Sequence, residues 1–238
     1  MAKILITGGA GFIGTHLAET LIQKKHKVLI VDKVSLSGGI FFVNKKAKFI
    51  KGNILDYKIL KKIEKWKPQI IFHLAAQSSG ESAYDDPKDD YLSNGYGTYL
   101  IAQLAKKIRC KYLIYTSSVA VYGSNPKNKI TEKSAIKPDS IYGVSKFVGE
   151  MFVKQLLLKS KTKVRIIRVF NTFGPGQNIT NLKKGIVGIF SYYVWRKKPI
   201  IVKGSIKRFR NLVFIDDCVK VLSKSFSNKN LNQFEVIN

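Results

Sequence analysis

Short, unbroken apolar runs alternate with stretches of helical periodicity along this chain. Ile4–Thr7, Val28–Val31 (closed by Asp32), Ala47–Ile50, Ile70–Leu74, Tyr112–Thr116 and Val164–Val169 read as strands. None alternates apolar with polar residues, so each is expected to be covered on both faces of a sheet. Between them, Phe12–Gln23 carries Ile13, Leu17 and Leu21 on one stripe, and Leu60–Trp66 reads as helix up to Pro68. Tyr91–Ile108 repeats Leu100, Leu104 and Ile108 on one face, and Tyr142–Lys159 gives another helix. Strands alternating with helices predict an α/β protein with a Rossmann-type doubly wound parallel sheet. A Gly-rich loop, Ser37-Gly38-Gly39, follows the second strand. Past Val169 the pattern loosens at Gly174-Pro175-Gly176. Expected there are a helix over Ile186–Trp195, strand-like pieces at Ile200–Val202 and Leu212–Ile215, a helix over Asp217–Ser225 and a last strand at Phe234–Ile237.

Composition narrows the class. With 238 residues, 45% of them hydrophobic, the chain can build a sizeable core, which excludes intrinsic disorder. No apolar run approaches the ~20 residues of a membrane span, and the N-terminus runs straight into a strand pattern, so neither a membrane partner nor a secretory signal is expected. The two cysteines, Cys110 and Cys218, lie far apart, which fits a reducing, cytoplasmic setting. The net charge of +27 first suggests nucleic acid. Yet the basic residues are 36 Lys and only 6 Arg, with the lysines scattered in pairs such as Lys24-Lys25, Lys61-Lys62 and Lys183-Lys184. Arg, not Lys, is suited to bidentate recognition, so the charge reads as a solvated surface without a dedicated nucleic-acid partner. No metal is expected.

Two constellations carry chemistry. The first strand runs into Thr7-Gly8-Gly9-Ala10-Gly11-Phe12-Ile13-Gly14 and then a helix. Gly8, Gly11 and Gly14 allow a tight turn, close approach to a pyrophosphate and close helix–strand packing, and the helix N-terminus favours phosphate. Asp32 ends the next strand, where a carboxylate accepts both ribose hydroxyls and repels a 2′-phosphate. That favours NAD over NADP, although Lys33 beside it carries the opposite charge. The second constellation is Ser118 at the end of the fifth strand with Tyr142 and Lys146, four residues apart and so on one helical face. A tyrosine serving as base near pH 7 needs about 3 pKa units of help, or ~4 kcal/mol, which a neighbouring ammonium and a nicotinamide cation can supply.

These motifs resemble the extended short-chain dehydrogenase/reductases of the nucleotide-sugar epimerase/dehydratase group. The likeness includes Gly52-Asn53-Ile54-Leu55-Asp56, His73–Ser79, Asn94–Thr98, Ser117–Gly123, Tyr142–Lys146, Phe170–Gln177 and Arg210–Asp217, in the family's order across nearly the whole chain. It implies that Asn53 and Ile54 flank an adenine, although the family usually has Asp where Asn53 stands. It also implies that Leu74, Ala75 and Ala76 line the pyrophosphate side, and that Asn94 and Phe170 lie near the nicotinamide, with Phe12 and Ile13 in the glycine loop. Asn171 and Arg210 would hold the phosphates of a nucleotide-sugar substrate, with Asn211 where the family usually has Asp. His73 reads as a structural histidine.

The resemblance further implies NAD as cofactor and a homodimer built on the helices Tyr91–Ile108 and Tyr142–Lys159. Family members continue past the position of Asn238, so residues 1–168 read as an NAD-binding Rossmann domain and 169–238 as part of a substrate-binding region. Dehydratases of the group carry an Asp-Glu pair just after the catalytic Ser/Thr; here Val119 and Ala120 stand, and neither transfers protons. The expected activity is therefore NAD-dependent epimerisation of a nucleotide sugar, first a UDP-hexose, at C4 through a 4-keto intermediate, of the kind used in polysaccharide biosynthesis. A dehydrogenase or reductase of the same fold is the alternative, and an NAD-binding relative without catalysis is a third reading.

Overall fold

Seven strands form the central sheet: β1 (Lys3–Thr7), β2 (Lys27–Asp32), β3 (Lys48–Lys51), β4 (Ile70–His73), β5 (Tyr112–Ser118), β6 (Lys163–Val169) and β9 (Phe234–Ile237). All are parallel, in the order β3-β2-β1-β4-β5-β6-β9. A separate parallel pair joins β7 (Asn171–Phe173) to β8 (Leu212–Phe214). The helices are α1 (Phe12–Gln23), α2 (Tyr57–Trp66), α3 (Gly80–Asp85), α4 (Pro87–Asp90), α5 (Gly97–Lys107), α6 (Ile141–Leu157), α7 (Ile186–Trp195) and α8 (Ile215–Lys224). This computed structural model describes residues 1–34, 44–124, 129–202, 204–207, 209–226 and 232–238; the Ser37-Gly38-Gly39 loop lies outside them.

The unbroken apolar runs are explained by what they meet. One face of the sheet sends Leu5, Leu29, Ile71, Leu113 and Val164 against Ile63 of α2, Ile101 of α5 and Val153 of α6. The other sends Ile4, Ile6, Ile30, Phe72 and Ile114 against Leu17 and Leu21 of α1 and Val219 and Leu222 of α8. Each fully buried aliphatic side chain contributes roughly 1.5–3 kcal/mol, so neither face is left to water. Residues 169–238 share in this body, since β9 pairs with β6 and α8 packs on α1.

The elements differ from the sequence expectations in several places, among them β7, a strand where none is expected, and α8, which starts at Ile215 rather than Asp217. α2 starts three residues earlier than its apolar period, because Asp56 caps it by accepting from Lys58 N at 2.8 Å. The expected long helix over Tyr91–Ile108 is divided: a π-helical segment, Tyr91–Tyr96, precedes α5. Two short polar helices, α3 and α4, fall where no apolar period announces them; they start on the side-chain caps Ser79 and Asp86. Ile200–Val202 forms no strand: the three residues are 45%, 58% and 44% exposed, with no ladder beside them.

Candidate active site

The strand order reverses between β1 and β4, and the loops leaving the carboxyl ends of those strands flank a crevice there, the usual place for a ligand in an open α/β sheet. The crevice opens into a cleft of about 1520 Å³ that runs from Asp32 past the glycine loop to Tyr142 and on to Arg210.

The glycines at its floor are required by contact. Gly8 sits at φ +71°, and a Cβ there would meet Ala75 N at 2.6 Å. A Cβ on Gly14 would run into the Gly8 carbonyl. Gly11 is the N-cap of α1 and supplies no side chain to its first turn, which suits an anion. Asp32 is fixed at the cleft edge by Ala10 N (3.0 Å, to Oδ2) and Val34 N (3.1 Å, to Oδ1). Phe12, Ile13, Asn53, Ile54, Leu74, Ala75, Ala76 and Phe170 line the same cleft. Asn53 Oδ1 accepts from Leu55 N at 3.1 Å, which orients its amide. A cradle without room for a Cβ, an uncapped helix start and an anchored carboxylate together fit a dinucleotide.

The proton-transfer end is assembled from β5 and α6. Ser118 ends β5, and its hydroxyl accepts from Ala120 N at 3.2 Å to start a tight turn over Val119–Tyr122. Ser140 caps α6 through Gly143 N at 3.1 Å, and a Cβ on Gly143 would meet the Ala120 carbonyl at 2.6 Å. That close approach sets Tyr142 beside Ser118. Burial pushes the Tyr142 phenol up to about 12; the Ser118 hydroxyl, hydrogen-bonded to it, works against burial, and the charge of Asp90 adds to the rise. Lys146 is 2% exposed, with Nζ 4.6 Å from the centre of the Tyr115 ring. Burial brings its pKa down to about 7, against the pull of Asp90 and Glu150. Tyr115 reaches over α6 to donate to the Lys146 carbonyl at 3.1 Å, which the missing side chain of Gly149 permits.

His73 is bracketed by Thr7 Oγ1 at 2.7 Å and Thr98 Oγ1 at 3.0 Å. Burial, aided by Lys146, holds its pKa at about 3, so it is a neutral tie between β1, β4 and α5. Asn94, expected near the nicotinamide, is fully buried and is not among the residues lining the cleft. Its amide nitrogen is spent on Gln77 O, Asp90 Oδ1 and Ser145 Oγ at 3.0–3.1 Å, a network beneath α6. At the far end Asn171 of β7 donates to Asn211 O at 3.2 Å, and Arg210 donates to Phe209 O at 2.9 Å on the cleft rim. Lys183 and Lys184 also line this end and are not singled out by any motif; Lys183 is held by Asp85. Val119 and Ala120 face the cleft as apolar groups beside Ser118. Among the described residues no cluster fit to hold a metal occurs, and no helix is long and apolar enough to cross a membrane.

Comparison with known proteins gives a consistent picture. The model of the NAD dependent epimerase/dehydratase family matches residues 4–238. The UDP-glucose 4-epimerase of Mycolicibacterium smegmatis is 32% identical over 91% of this chain and 71% of its own. The dTDP-D-glucose 4,6-dehydratase of Dictyostelium discoideum is 34% identical over 91% of this chain, which spans only 54% of that protein. The crystal structure of the Thermotoga maritima UDP-glucose 4-epimerase with UDP-glucose superposes with a TM-score of 0.86 at 32% identity, covering 92% of this chain and 71% of that one.

Proposed function

Since the chain belongs to the NAD dependent epimerase/dehydratase family, whose relatives include both epimerases and dehydratases, we propose that it inverts C4 of a nucleotide sugar, in the first instance a UDP-hexose, through a transient 4-keto sugar. The observation that carries this choice is the pairing of Ser118, Tyr142 and Lys146 at the cleft floor with Val119 and Ala120 beside them. The site holds a proton acceptor for a hydroxyl, and no acid at the two positions where a leaving group would be protonated.

The glycine loop and the start of α1 hold the pyrophosphate of NAD, Asp32 its adenosine ribose, Asn53 and Ile54 its adenine, and Leu74–Ala76 and Phe170 its remaining flank. Bound NAD supplies a hydride acceptor and donor, and a positive charge on its nicotinamide ring. Ser118 orients the C4 hydroxyl, and Tyr142 takes its proton at the phenolate oxygen and later returns one to the C4 oxygen, after the keto sugar has turned its other face. Lys146 lowers the cost of the phenolate by charge and holds the nicotinamide ribose. Asn171 and Arg210 retain the diphosphate while the keto sugar turns over between the two faces. Residues 1–168 serve mainly the cofactor and 169–238 the substrate.

The exposed Tyr91, Tyr96, Val144 and Met151 on the π-helical segment and α6 support a homodimer through these helices, checked by sedimentation velocity. Free, buried Cys110 and Cys218 support a cytoplasmic setting. The test of the reading is mass spectrometry of the native protein for bound NAD, then incubation with UDP-glucose, UDP-galactose and the N-acetyl pair. Interconversion with no lasting change at 340 nm supports epimerisation; net NADH formation or consumption supports a dehydrogenase or reductase instead.

A further inference from the structure

One buried carboxylate is not used by the scheme above. Asp90, the last residue of α4, is closed off from solvent. Its Oδ1 accepts from Gln77 Nε2 at 3.1 Å and from Asn94 Nδ2 at 3.0 Å, and Oδ2 is buried without a hydrogen-bond partner in the structure. Burial raises the Asp90 carboxyl above the ordinary carboxylate range, and the Ser145 hydroxyl and the charge of Lys146 work against that rise. These donors are neutral, and no ion pair to Asp90 forms among the described residues. A buried carboxylate held by neutral donors alone carries a charge that nothing in its own shell cancels.

Asn94 Nδ2 bridges Asp90 Oδ1 at 3.0 Å and Ser145 Oγ at 3.1 Å, and the next residue along α6 is Lys146, a buried cation. Its ammonium lies over the Tyr115 ring and joins no ion pair among the described residues. Two carboxylates act on it, Asp90 and Glu150. Glu150 is already neutralised, since Arg168 grips both of its oxygens. The other groups packed here are His73 on β4, Tyr115 on β5, Tyr142 on α6 and the half-buried Asp89 on α4. Burial keeps His73 uncharged and the Tyr115 phenol protonated, so neither balances the lysine. Asp90 is left as the carboxylate that acts on Lys146 without an ion-pair partner among the described residues.

We propose that Asp90 is the counter-charge of Lys146: it keeps the lysine protonated in a site poor in water and sets the pH window in which Tyr142 can exchange a proton with the substrate. It is a positioning residue acting through Lys146. Only the kinetic part of the proposal rests on the epimerase reading. Replacing Asp90 by a neutral residue removes a charge that favours the ammonium and opposes the phenolate, so both groups titrate at lower pH.

The test uses the full chain carrying lysine labelled with carbon-13 at Cε, with the Lys146 signal assigned by its absence in Lys146→Met. The Lys146 midpoint is expected to fall by about one pH unit or more in Asp90→Asn. In Asp90→Glu, which keeps the charge, it should return toward the native value. Asp90→Ser is a second neutral variant for use if the Asn variant does not fold. In the pH profile of kcat/KM the whole bell should move to lower pH in the neutral variants by a similar amount. An unchanged Lys146 midpoint, or a bell that shrinks without moving, overturns the proposal. If no sugar is turned over, the epimerase reading fails on its own, and the lysine titration still decides the role of Asp90.

Discussion

Arg168 holds Glu150 in a two-point grip, Nε to Oε1 at 2.9 Å and Nη2 to Oε2 at 2.7 Å, with Glu150 fully buried and Arg168 3% exposed. The pair ties β6 to α6 one turn beyond Lys146. Arg168 also donates to Tyr122 Oη at 2.6 Å, beside the Ser118 turn. Removing one partner leaves the other charge buried. Arg168→Met should therefore destabilise the fold by about 3–5 kcal/mol, while Glu150→Met combined with Arg168→Met should recover much of that loss. Urea unfolding of both variants checks it; equal losses in the single and double variants would contradict it.

The glycine loop predicts a graded series. Gly14→Ala puts a methyl group into the Gly8 carbonyl, and Gly8→Ala meets the Ala75 backbone at a positive φ. Each should weaken NADH binding at least tenfold, about 1.4 kcal/mol or more. Gly80→Ala, where a Cβ has nothing within 4 Å, should leave binding unchanged. Fluorescence titration with NADH reads all three.

Stability should depend on pH through two buried bases. His73 titrates at about 3 in the folded chain and near 6.5 when unfolded, so between those values the unfolded chain binds more protons. Stability therefore falls as pH drops from 6.5 toward 3, and His73→Gln should flatten that part of the curve. Lys146, at about 7 folded, has the same sign over a higher window: stability rises from pH 7 toward the ordinary lysine value. Lys146→Met should remove that rise. Denaturant midpoints across the pH range provide the measurement.

Tyr142→Phe keeps the ring packing and removes the proton acceptor. Turnover should drop by a factor on the order of 10² to 10⁴ while NADH affinity stays within about twofold. Loss of both together would assign Tyr142 to cofactor binding rather than proton transfer.

Most of the sheet is legible from apolar runs, because strands covered on both faces need no polar alternation. The bounds of α1, α7 and β9 coincide with their periodic segments for the same reason. Ile200–Val202 has equally apolar residues but no neighbouring strand to pair with, and apolar character alone does not supply one. The bracket of Gly8, Asp32, Ser118, Tyr142 and Lys146 is legible because each type is needed at a fixed offset from a strand end. Asp90 is not: it stands in a polar stretch with no strand end to mark it, and the packing of α6 over α4 and the π-helical segment buries it. Arg168 and Glu150 are hidden in the same way, since each stands among other charged residues of its element and nothing in the pattern marks it as buried.

The central claim is that hydride leaves C4 and returns to C4. Incubation with a UDP-hexose carrying deuterium at C4, followed by proton and deuterium NMR of the products, tests it most directly. The account predicts the C4 epimer with deuterium retained at C4. Deuterium transferred to C6 in a 4-keto-6-deoxy product, or its exchange into solvent, would contradict it.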